Sequence, residues 1–214
     1  MKIAFVGFGS LGKDVLAFLQ ERKESISEVY LFDDFAETNS TTIAVTTAYE
    51  FSEYAQIDLD REAIYFVGLG YRHFALKQEI INVLSREGKE LLTLIHDRAY
   101  VSESAQIIGG ALIYPLANIG AHCLVADGVV VHQSASIAHD TTIGACSYIS
   151  PGVVSCGNVQ IGRHVFIGAN ATIADGVTVG DRCVIAAQTF VQNDLPPDTH
   201  VVGNPAQIVE RIDL

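Results

Sequence analysis

From residue 101 onward, every sixth residue of the chain is aliphatic. Sixteen positions follow at this spacing between Val101 and Val191, and fifteen of them are Ile or Val. The exception is Ser155. Two residues before each position stands a short side chain, as at Ala99 and Cys123. A period of six matches neither an α-helix nor a simple alternating strand, which excludes most common folds for this half of the chain.

The repeat predicts a three-sided prism in which each face is one short strand and each corner is a turn. Three faces make an eighteen-residue coil, and successive coils stack at about 4.8 Å, the spacing of neighbouring strands. The aliphatic residue and its small partner point inward and pack on those of the adjacent coils. Each buried Ile or Val contributes roughly 1.5–3 kcal/mol, so we expect the ladder to stabilise the solenoid without disulfides. Where Ser155 interrupts the ladder we expect a bulge.

Composition changes near residue 98, which predicts two domains, 1–98 and 99–214. The first segment holds 10 of the 13 Lys and Arg residues, whereas the second holds 12 of the 18 glycines and all 5 prolines. Strand-like and helical runs alternate in the first segment. We expect strands at 2–7, 28–32, 42–46, 63–67 and 90–95, and helices at 10–22 and 72–86. This alternation predicts a Rossmann-like α/β domain with a small parallel sheet.

The net charge of −12 disfavours partners such as nucleic acid or an anionic membrane. The longest uncharged run, 104–126, contains Gly, Pro, Asn and His, so we expect neither a membrane span nor a signal peptide. None of the four cysteines forms a CxxC pair, which is typical of reduced thiols in a cytoplasmic protein. We therefore predict a cytoplasmic protein that meets anionic ligands with local cations and backbone amides.

A glycine-rich motif, Gly7-Phe8-Gly9-Ser10-Leu11-Gly12, lies between the first predicted strand and helix. Glycines there let the backbone approach a phosphate, and the helix N-terminus favours anions. Asp33 stands 21 residues after Gly12, where a carboxylate can accept ribose hydroxyls. The pattern alone suggests an NAD-dependent oxidoreductase. A segment of about 98 residues, however, is barely one mononucleotide-binding half, which favours a nucleoside diphosphate carrying a sugar.

The hexapeptide ladder and its ending, with L-P-P-D at 195–198 and V-G-N-P-A at 202–206, resemble the hexapeptide-repeat acyltransferases. Further motifs are G-L-G-Y-R at 68–72, L-I-H at 94–96, I-A-H-D at 137–140 and S-C-G-N-V at 155–159. With the glycine-rich loop, they resemble the sialic-acid O-acetyltransferase family, which includes the PglD-type nucleotide-amino-sugar N-acetyltransferases. The resemblance implies a left-handed parallel β-helix, a homotrimer, and acetyl transfer from acetyl-CoA.

The acceptor that the resemblance favours is the amino group of a UDP- or dTDP-linked 4-amino-4,6-dideoxy sugar. Its nucleotide would contact Gly9, Ser10, Leu11, Asp33, Asp34, Gly70, Tyr71 and Arg72. Family members often have His where Leu11 stands, so a side-chain contact to phosphate is lost here. Arg72 is a candidate to replace it, because guanidinium groups pair well with diphosphates. The alternative is that the loop is only a tight turn between strand and helix.

Among the seven histidines, His139 has the most informative place in the repeat. It follows the ladder residue Ile137 by two, so we expect it beside a corner and pointing outward. The resemblance implies that His139 is the general base and that Asp140, where the family commonly has Glu, orients it. Gly157 comes eighteen residues later, directly over His139, and we expect its N–H to bind the thioester oxygen. The same spacing pairs His122 with Asp140, a competing arrangement.

The acetyl-CoA site is predicted from side chains near this corner and from the C-terminal turn. We expect His132 and Tyr148 to line the same cleft as His139, together with Asn158. Backbone amides at Ala187, where the family often has Gly, would bond the pantetheine. By resemblance the turn at 202–206 lies near the acyl-CoA. The predicted residues are His132, Tyr148, Asn158, Ala187, Asn204 and Pro205.

Other functions fit parts of the pattern. A sugar O-acetyltransferase of the sialic-acid type would use the same residues. The β-helix carbonic anhydrases bind zinc through histidines, two of them five residues apart, and no two histidines here have that spacing, so we predict no metal. A noncatalytic scaffold is an alternative, because solenoids offer good binding surfaces. The His139–Asp140 pair and the glycine-rich loop favour catalysis.

Overall fold

The computed structural model describes residues 1–34, 47–55 and 63–210. The chain divides into two compact units, Met1–Leu92 and Thr93–Leu214. Within the described ranges, neither helix has the length and apolar character needed to cross a membrane.

The first unit is built on a parallel sheet. In chain order its elements are β1 (Lys2–Val6), α1 (Ser10–Glu21), β2 (Glu28–Phe32), β3 (Thr47–Tyr49), a 3-10 helix (Phe51–Ala55), β4 (Ala63–Val67), a 3-10 helix (Tyr71–His73), α2 (Phe74–Arg86) and β5 (Glu90–Leu91). The strand order is β3-β2-β1-β4-β5. Because this order reverses between β1 and β4, a ligand crevice is expected at their carboxyl ends. The strand predicted at 42–46 lies outside the described residues.

The apolar runs that predict the strands form the core of this unit. Phe5, Leu31 and Phe66 are all buried, as a parallel sheet covered by helices requires. The third glycine of the loop, Gly12, lets α1 pass close to the first strand. A Cβ added there would lie 2.9 Å from a ring carbon of Phe8, so a larger residue would push the helix away.

The second unit is a solenoid of short parallel strands in three sheets, which we call the first, second and third faces. The first face holds Leu94–Ile95, Leu112–Ile113, Val130–Val131, Tyr148–Ile149, Phe166–Ile167, Val184–Ile185, His200–Val202 and, antiparallel to the last of these, Gln207–Val209. The second face holds Tyr100–Val101, Asn118–Ile119, Ser136–Ile137, Val154–Ser155, Thr172–Ile173 and Phe190–Val191. The third face holds Gln106–Ile107, Leu124–Val125, Thr142–Ile143, Gln160–Ile161 and Thr178–Val179.

Residues eighteen apart pair in register from Leu94 to Val191, and the spacing falls to sixteen only in the last coil, where Val184 pairs with His200. Ile119 pairs with Ile137, and Ile137 pairs with Ser155, which confirms the predicted coil length. The aliphatic ladder and its small partners form one buried core along the solenoid. The repeat therefore produces the predicted prism, because only inward-facing positions need to be apolar.

Two details of the prediction are wrong. The run at 90–95 is not one strand, because Glu90–Leu91 pairs with β4 while Leu94–Ile95 pairs with Leu112–Ile113 of the solenoid. The six-residue spacing extends back from Val101 to Ile95, which explains the division. The bulge expected at Ser155 is also absent, since Ser155 stays in register with Ile137 and Ile173. Ser155 is 1% exposed, and its hydroxyl donates to the carbonyl of Cys156 at 3.2 Å.

The corners of the prism have a regular conformation that the sequence analysis did not consider. Every sixth residue from 110 to 188 has a positive φ. Ten of these residues are not glycine, with φ between 57° and 63°: Leu116, His122, Ser134, Asp140, Cys146, Asn158, His164, Asn170, Arg182 and Gln188. None is β-branched, the class that this conformation disfavours most. The corners thus limit which residue types can stand at every sixth position.

Candidate functional site

His139 lies where the second face turns into the third, between Ser136–Ile137 and Thr142–Ile143. Its side chain is 59% exposed, and that of Asp140 is 50% exposed. Nδ1 of His139 lies 2.8 Å from Oδ2 of Asp140. Since the carboxylate can only accept, a neutral imidazole carries its proton on Nδ1 and keeps a lone pair on Nε2. This tautomer is the one that a general base needs.

Asp140 is held by the corner itself. Its φ is +58°, a conformation in which Asp is enriched, and its N–H donates to the carbonyl of Ala121 at 2.9 Å. The competing pairing with His122 is not formed. The carboxylate of Asp140 bonds to His139, whereas the N–H of His122 donates to Ser104 Oγ at 3.0 Å.

Gly157 lies on the next coil against the imidazole of His139, as the eighteen-residue spacing predicts. A Cβ added at Gly157 would lie 2.6 Å from Cε1 and 2.7 Å from Nε2 of His139. The N–H of Asn158 donates to the carbonyl of His139 at 2.9 Å, which holds the two coils together here. The N–H of Gly157 donates to no atom in the described part of the chain. Glycine is required because any side chain would displace the ring.

Asp175 lies one coil beyond Gly157, and its carboxylate approaches the position that a side chain on Gly157 would occupy. Its Oδ1 would lie 3.0 Å from a Cβ added at Gly157, and the side chain is exposed. The N–H of Gly176 donates to the carbonyl of Gly157 at 2.9 Å. A carboxylate oxygen and Nε2 of His139 thus approach one position from the coils on either side of it. The sequence analysis missed Asp175, although a second step of eighteen residues from His139 leads to it.

His132 lies at a different corner, where the first face turns into the second, and Tyr148 lies on the first face in the strand Tyr148–Ile149. Nε2 of His132 lies 2.5 Å from the hydroxyl of Tyr148. The His132 ring stacks on Tyr114 at 4.2 Å between centroids, and Tyr148 stacks on Phe166 at 5.9 Å. Within one chain the second face separates this aromatic stack from His139. The expected single cleft is therefore not formed by one chain.

The other residues predicted for acetyl-CoA are spread over three places. Asn158 is an exposed corner residue beside Gly157. Ala187 lies at the corner that His132 occupies three coils earlier, and its N would be 2.4 Å from a Cβ at Gly168. Asn204 and Pro205, joined by a cis peptide bond, lie in the exposed turn between the last two strands.

Two arginines of the second unit, Arg163 and Arg182, are engaged with carboxylates. Arg182 donates to Asp198 through Nε at 2.6 Å and through a terminal nitrogen at 2.7 Å. A terminal nitrogen of Arg163 lies 3.5 Å from Asp181. The hydrogen bond to Asp198 raises the pKa of Arg182, and the same bond lowers the pKa of Asp198. Any phosphate bound here competes with these pairs.

The glycine-rich loop of the first unit joins β1 to α1. Gly9 stands at the N-cap of α1, where no side chain caps the helix, and a Cβ added there would meet nothing within 4 Å. The first N–H groups of the helix are thus arranged for an anion. The side chain of Leu11 is 4% exposed and packs inward. Of the predicted contacts from Gly9, Ser10 and Leu11, the one from Leu11 can come only from its backbone.

Asp33 and Asp34 tie the end of β2 to neighbouring loops. Oδ2 of Asp33 accepts from the N–H of Phe8 at 2.5 Å, and Oδ1 of Asp34 accepts from the N–H of Phe51 at 2.8 Å. The hydrogen bond from Phe8 holds Asp33 against the glycine-rich loop. Both carboxylates line an open hollow with Ala48, Tyr49, Glu50 and Ser52.

The segment after β4 reaches the same edge of the sheet. The N–H of Gly68 donates to the carbonyl of Val6 at 2.9 Å, and a Cβ added at Gly68 would lie 2.2 Å from the carbonyl oxygen of Gly7. Gly70 precedes the 3-10 helix that carries Tyr71 and the exposed Arg72. All three predicted segments therefore follow the carboxyl ends of parallel strands in one sheet.

Metal chemistry has no visible ligand set here. Among the described residues, no three His, Cys, Asp or Glu side chains form a group that could hold a metal ion. None of the four cysteines forms a disulfide, and burial raises the pKa of Cys123 and of Cys183. These two thiols stay protonated at neutral pH and serve as small packing residues.

Comparison with known proteins agrees with this picture. Residues 158–193 match the family model described as bacterial transferase hexapeptide (six repeats). The acetyltransferase domain of PglB from Neisseria gonorrhoeae is 30% identical, with a TM-score of 0.86 over 97% of this chain and 99% of that one. The same domain was also solved in complex with acetyl coenzyme A. No curated protein sequence matches the chain.

PerB from Caulobacter crescentus, solved in complex with CoA and GDP-perosamine, has the same fold. It is 23% identical, with a TM-score of 0.85 over 98% of this chain and 97% of that one. The match to PglB spans both units at a level that shows common family, and it confirms the resemblance drawn from the motifs. The chain belongs to the hexapeptide-repeat acyltransferases of the sialic-acid O-acetyltransferase family, the group that includes the PglD-type sugar N-acetyltransferases.

Proposed function

We propose that the protein transfers an acetyl group from acetyl-CoA to the amino group of a nucleotide-linked amino sugar. One observation carries the chemistry: an exposed imidazole, bonded through Nδ1 to Asp140, presents Nε2 over Gly157 of the next coil. The acceptor class is supported by PerB, which was solved with GDP-perosamine and CoA. It is also supported by the uncapped glycine-rich loop of the first unit.

The proposed reaction begins with the acceptor amine at Nε2 of His139. Nε2 takes a proton from the amine as its nitrogen attacks the thioester carbonyl, and Asp140 stabilises the imidazolium that forms. The N–H of Gly157 donates to the oxyanion of the tetrahedral intermediate. The imidazolium then gives its proton to the departing CoA sulfur. No acyl-enzyme is needed, because the amine attacks directly.

We assign the nucleotide to the Rossmann-like domain, residues 1–98. The diphosphate would lie at the N-terminus of α1, against the backbone of Gly9, Ser10 and Leu11. Arg72 would supply the charge that Leu11 lacks. Asp33, Asp34, Gly70 and Tyr71 would complete the contacts. The hydrogen bond between Asp33 and Phe8 supports this assignment, because it draws two of the three segments together.

We assign acetyl-CoA to the domain formed by residues 99–214, which we infer to be a left-handed β-helix. An open groove of about 780 Å³ runs along the third face and is lined by Gly162, Gly180, Pro196 and Pro197 among others. It lies on the face that follows the His139 corner and would supply a path for the pantetheine. His132, Tyr148, Asn158, Ala187, Asn204 and Pro205 would meet acetyl-CoA in a homotrimer, where a neighbouring chain brings the aromatic corner to His139.

Four cysteines without a disulfide support a reducing, cytoplasmic location, which suits both substrates. A sialic-acid-type O-acetyltransferase is the second candidate, because His139 could equally deprotonate a hydroxyl. An NAD-dependent oxidoreductase and a noncatalytic scaffold are less consistent with the His139 geometry on an acyltransferase fold.

The decisive experiment is a transfer assay with the full chain, acetyl-CoA and a panel of acceptors. The panel would pair UDP-, dTDP-, GDP- and CMP-linked sugars carrying an amine with their hydroxyl counterparts, and would include free sialic acid. Release of CoA thiol and the mass of the product are measured together. We expect one nucleotide-linked amine to gain 42 mass units on nitrogen, about the mass of an acetyl group in place of hydrogen. Transfer only to hydroxyls would overturn the proposal.

A further inference from the structure

We propose that Asp175 binds the amino group of the acceptor and makes the site prefer amines over hydroxyls. This inference rests on the proposed acetyl transfer and deepens it, because it names the residue that selects the acceptor. Its basis is that the carboxylate of Asp175 and Nε2 of His139 both reach the space above Gly157.

The geometry gives the acceptor two partners of complementary kind. Nε2 lies 2.7 Å, and Oδ1 of Asp175 3.0 Å, from the position that a Cβ on Gly157 would occupy. An atom of the acceptor placed just outside that position meets an imidazole lone pair from one coil and a carboxylate oxygen from the other. Gly157 has no side chain to fill that position, and the glycine itself is buried beneath the two side chains.

The charges decide which acceptor fits. Both partners accept hydrogen bonds: the neutral imidazole at Nε2, and the carboxylate at its oxygens. A protonated amine has three N–H donors and a positive charge, so it can bond both and form a charge-assisted hydrogen bond with Asp175. A hydroxyl has one donor and two lone pairs, so it would leave one acceptor unmatched and place its lone pairs against a carboxylate.

The proposed steps balance in protons and bonds. The sugar ammonium, held by Asp175, first releases one proton to solvent through that exposed carboxylate and becomes a nucleophilic amine. Nε2 of His139 takes a second proton from the nitrogen as the carbon–nitrogen bond forms. The carbon–sulfur bond then breaks and the imidazolium gives its proton to the CoA sulfur, so one proton is released for each acetamide formed.

The sequence offers a matched control at the same corner. Glu103 stands in the same column as His139, two coils before it, whereas Asp175 stands two coils after it. Both carboxylates are exposed, and both belong to the eighteen-residue series that includes Ala121 and Gly157. Glu103→Gln and Asp175→Asn therefore remove the same charge at equal numbers of coils from the base, while only Asp175 adjoins Gly157.

The experiment compares Asp175→Asn, Glu103→Gln and the parent chain with the amino sugar nucleotide identified by the panel and with its hydroxyl analogue. Steady-state kinetics measure the KM and kcat for the amine, and calorimetry measures binding of the analogue. We expect Asp175→Asn to raise the KM for the amine by about 10- to 100-fold, the size of a lost charge-assisted hydrogen bond. Binding of the analogue should stay within about twofold or improve, and Glu103→Gln should behave like the parent.

Each other result points to a different failure. An unchanged KM in Asp175→Asn, or equal weakening of amine and analogue, would overturn the role of Asp175 while the acetyl transfer stands. Absence of transfer to every amine by the parent chain would remove the proposed function, and this inference with it. Thermal melts of both variants serve as the folding control, and we expect them to match the parent because both side chains are exposed.

Discussion

At the scale of single residues, the site depends on the two nitrogens of one imidazole. Asp140 binds Nδ1, which leaves Nε2 as the basic atom, and Gly157 leaves the space that Nε2 faces unfilled. The corner conformation places Asp140 beside the ring through the backbone, with a φ of +58°. The proposed base, its orienting carboxylate and the proposed oxyanion donor therefore come from two adjacent coils.

Replacing His139 with alanine tests the base. We expect His139→Ala to lower kcat by roughly 100-fold or more, the usual contribution of a general base. The exposed ring supports no core packing, so the melting temperature should change little. A kcat near that of the parent would remove His139 from the proposed role.

Adding one methyl group tests the space above the backbone. Gly157→Ala would place a Cβ 2.6 Å from the His139 ring, so the imidazole must turn away from its substrate. We expect kcat to fall by about 10- to 100-fold, as for a displaced catalytic group. Ala121→Gly changes the same column on the other side of His139 and serves as the control, with little effect on kcat. Equal kcat values for Gly157→Ala and the parent would show that the ring tolerates the displacement.

At the scale of elements, the corners carry as much information as the strands. His164 stands at such a corner, with a φ of 57° and a half-buried side chain. Burial lowers its pKa first of all; Arg163 and Arg182 lower it further, whereas Asp181 and Asp127 raise it. In the unfolded chain the ring regains an ordinary pKa near 6.5, so the unfolded state binds its proton first as the pH falls.

This difference predicts a pH dependence of stability with a definite sign. Because the unfolded state binds more protons, the free energy of unfolding falls as the pH drops through about 6.5. His164→Asn keeps a residue suited to the corner and removes the titrating ring. Urea unfolding at pH 8, 7, 6 and 5 should show a smaller loss for the variant than for the parent. An equal fall in the free energy of unfolding for variant and parent over the whole pH range would contradict the prediction. The difference between the two proteins at pH 8 supplies the baseline.

At the scale of the whole molecule, one chain does not bring the predicted acetyl-CoA residues together with His139. His132 lies where the first face turns into the second and Tyr148 lies on the first face, while His139 lies between the second and third faces. A second copy of the chain would be needed to bring the two sets together. The proposed homotrimer provides that copy, since each of its three clefts is lined by two chains.

Sedimentation or light scattering tests this assembly directly. We expect a particle of three times the chain mass of 23.0 kDa at micromolar concentration. A subunit mixture of His139→Ala with Tyr148→Ala should recover activity. Some clefts of the mixed trimers then combine an intact His139 from one chain with an intact Tyr148 from its neighbour. A monomer of full activity would contradict the shared cleft.

The sequence predicted most of this architecture. The six-residue spacing specified the inward positions, and the eighteen-residue coil predicted that Gly157 lies against His139. It did not lead to Asp175, although that residue stands in the same column, one coil beyond Gly157. The bulge at Ser155 was predicted from the break in the aliphatic ladder. In the structure the hydroxyl of Ser155 donates to the carbonyl of Cys156, and the register continues.

The six-residue repeat alone determines which residues are buried and which residues lie on neighbouring coils, because a fixed period repeats the same geometry along the chain. It does not determine how far a side chain reaches or which of two partners it selects. The choice of His139 over His122 by Asp140, the inward packing of Leu11 and the separation of His132 from His139 were decided by tertiary structure. These outcomes depend on corner dihedral angles and on packing between coils, which no residue spacing encodes.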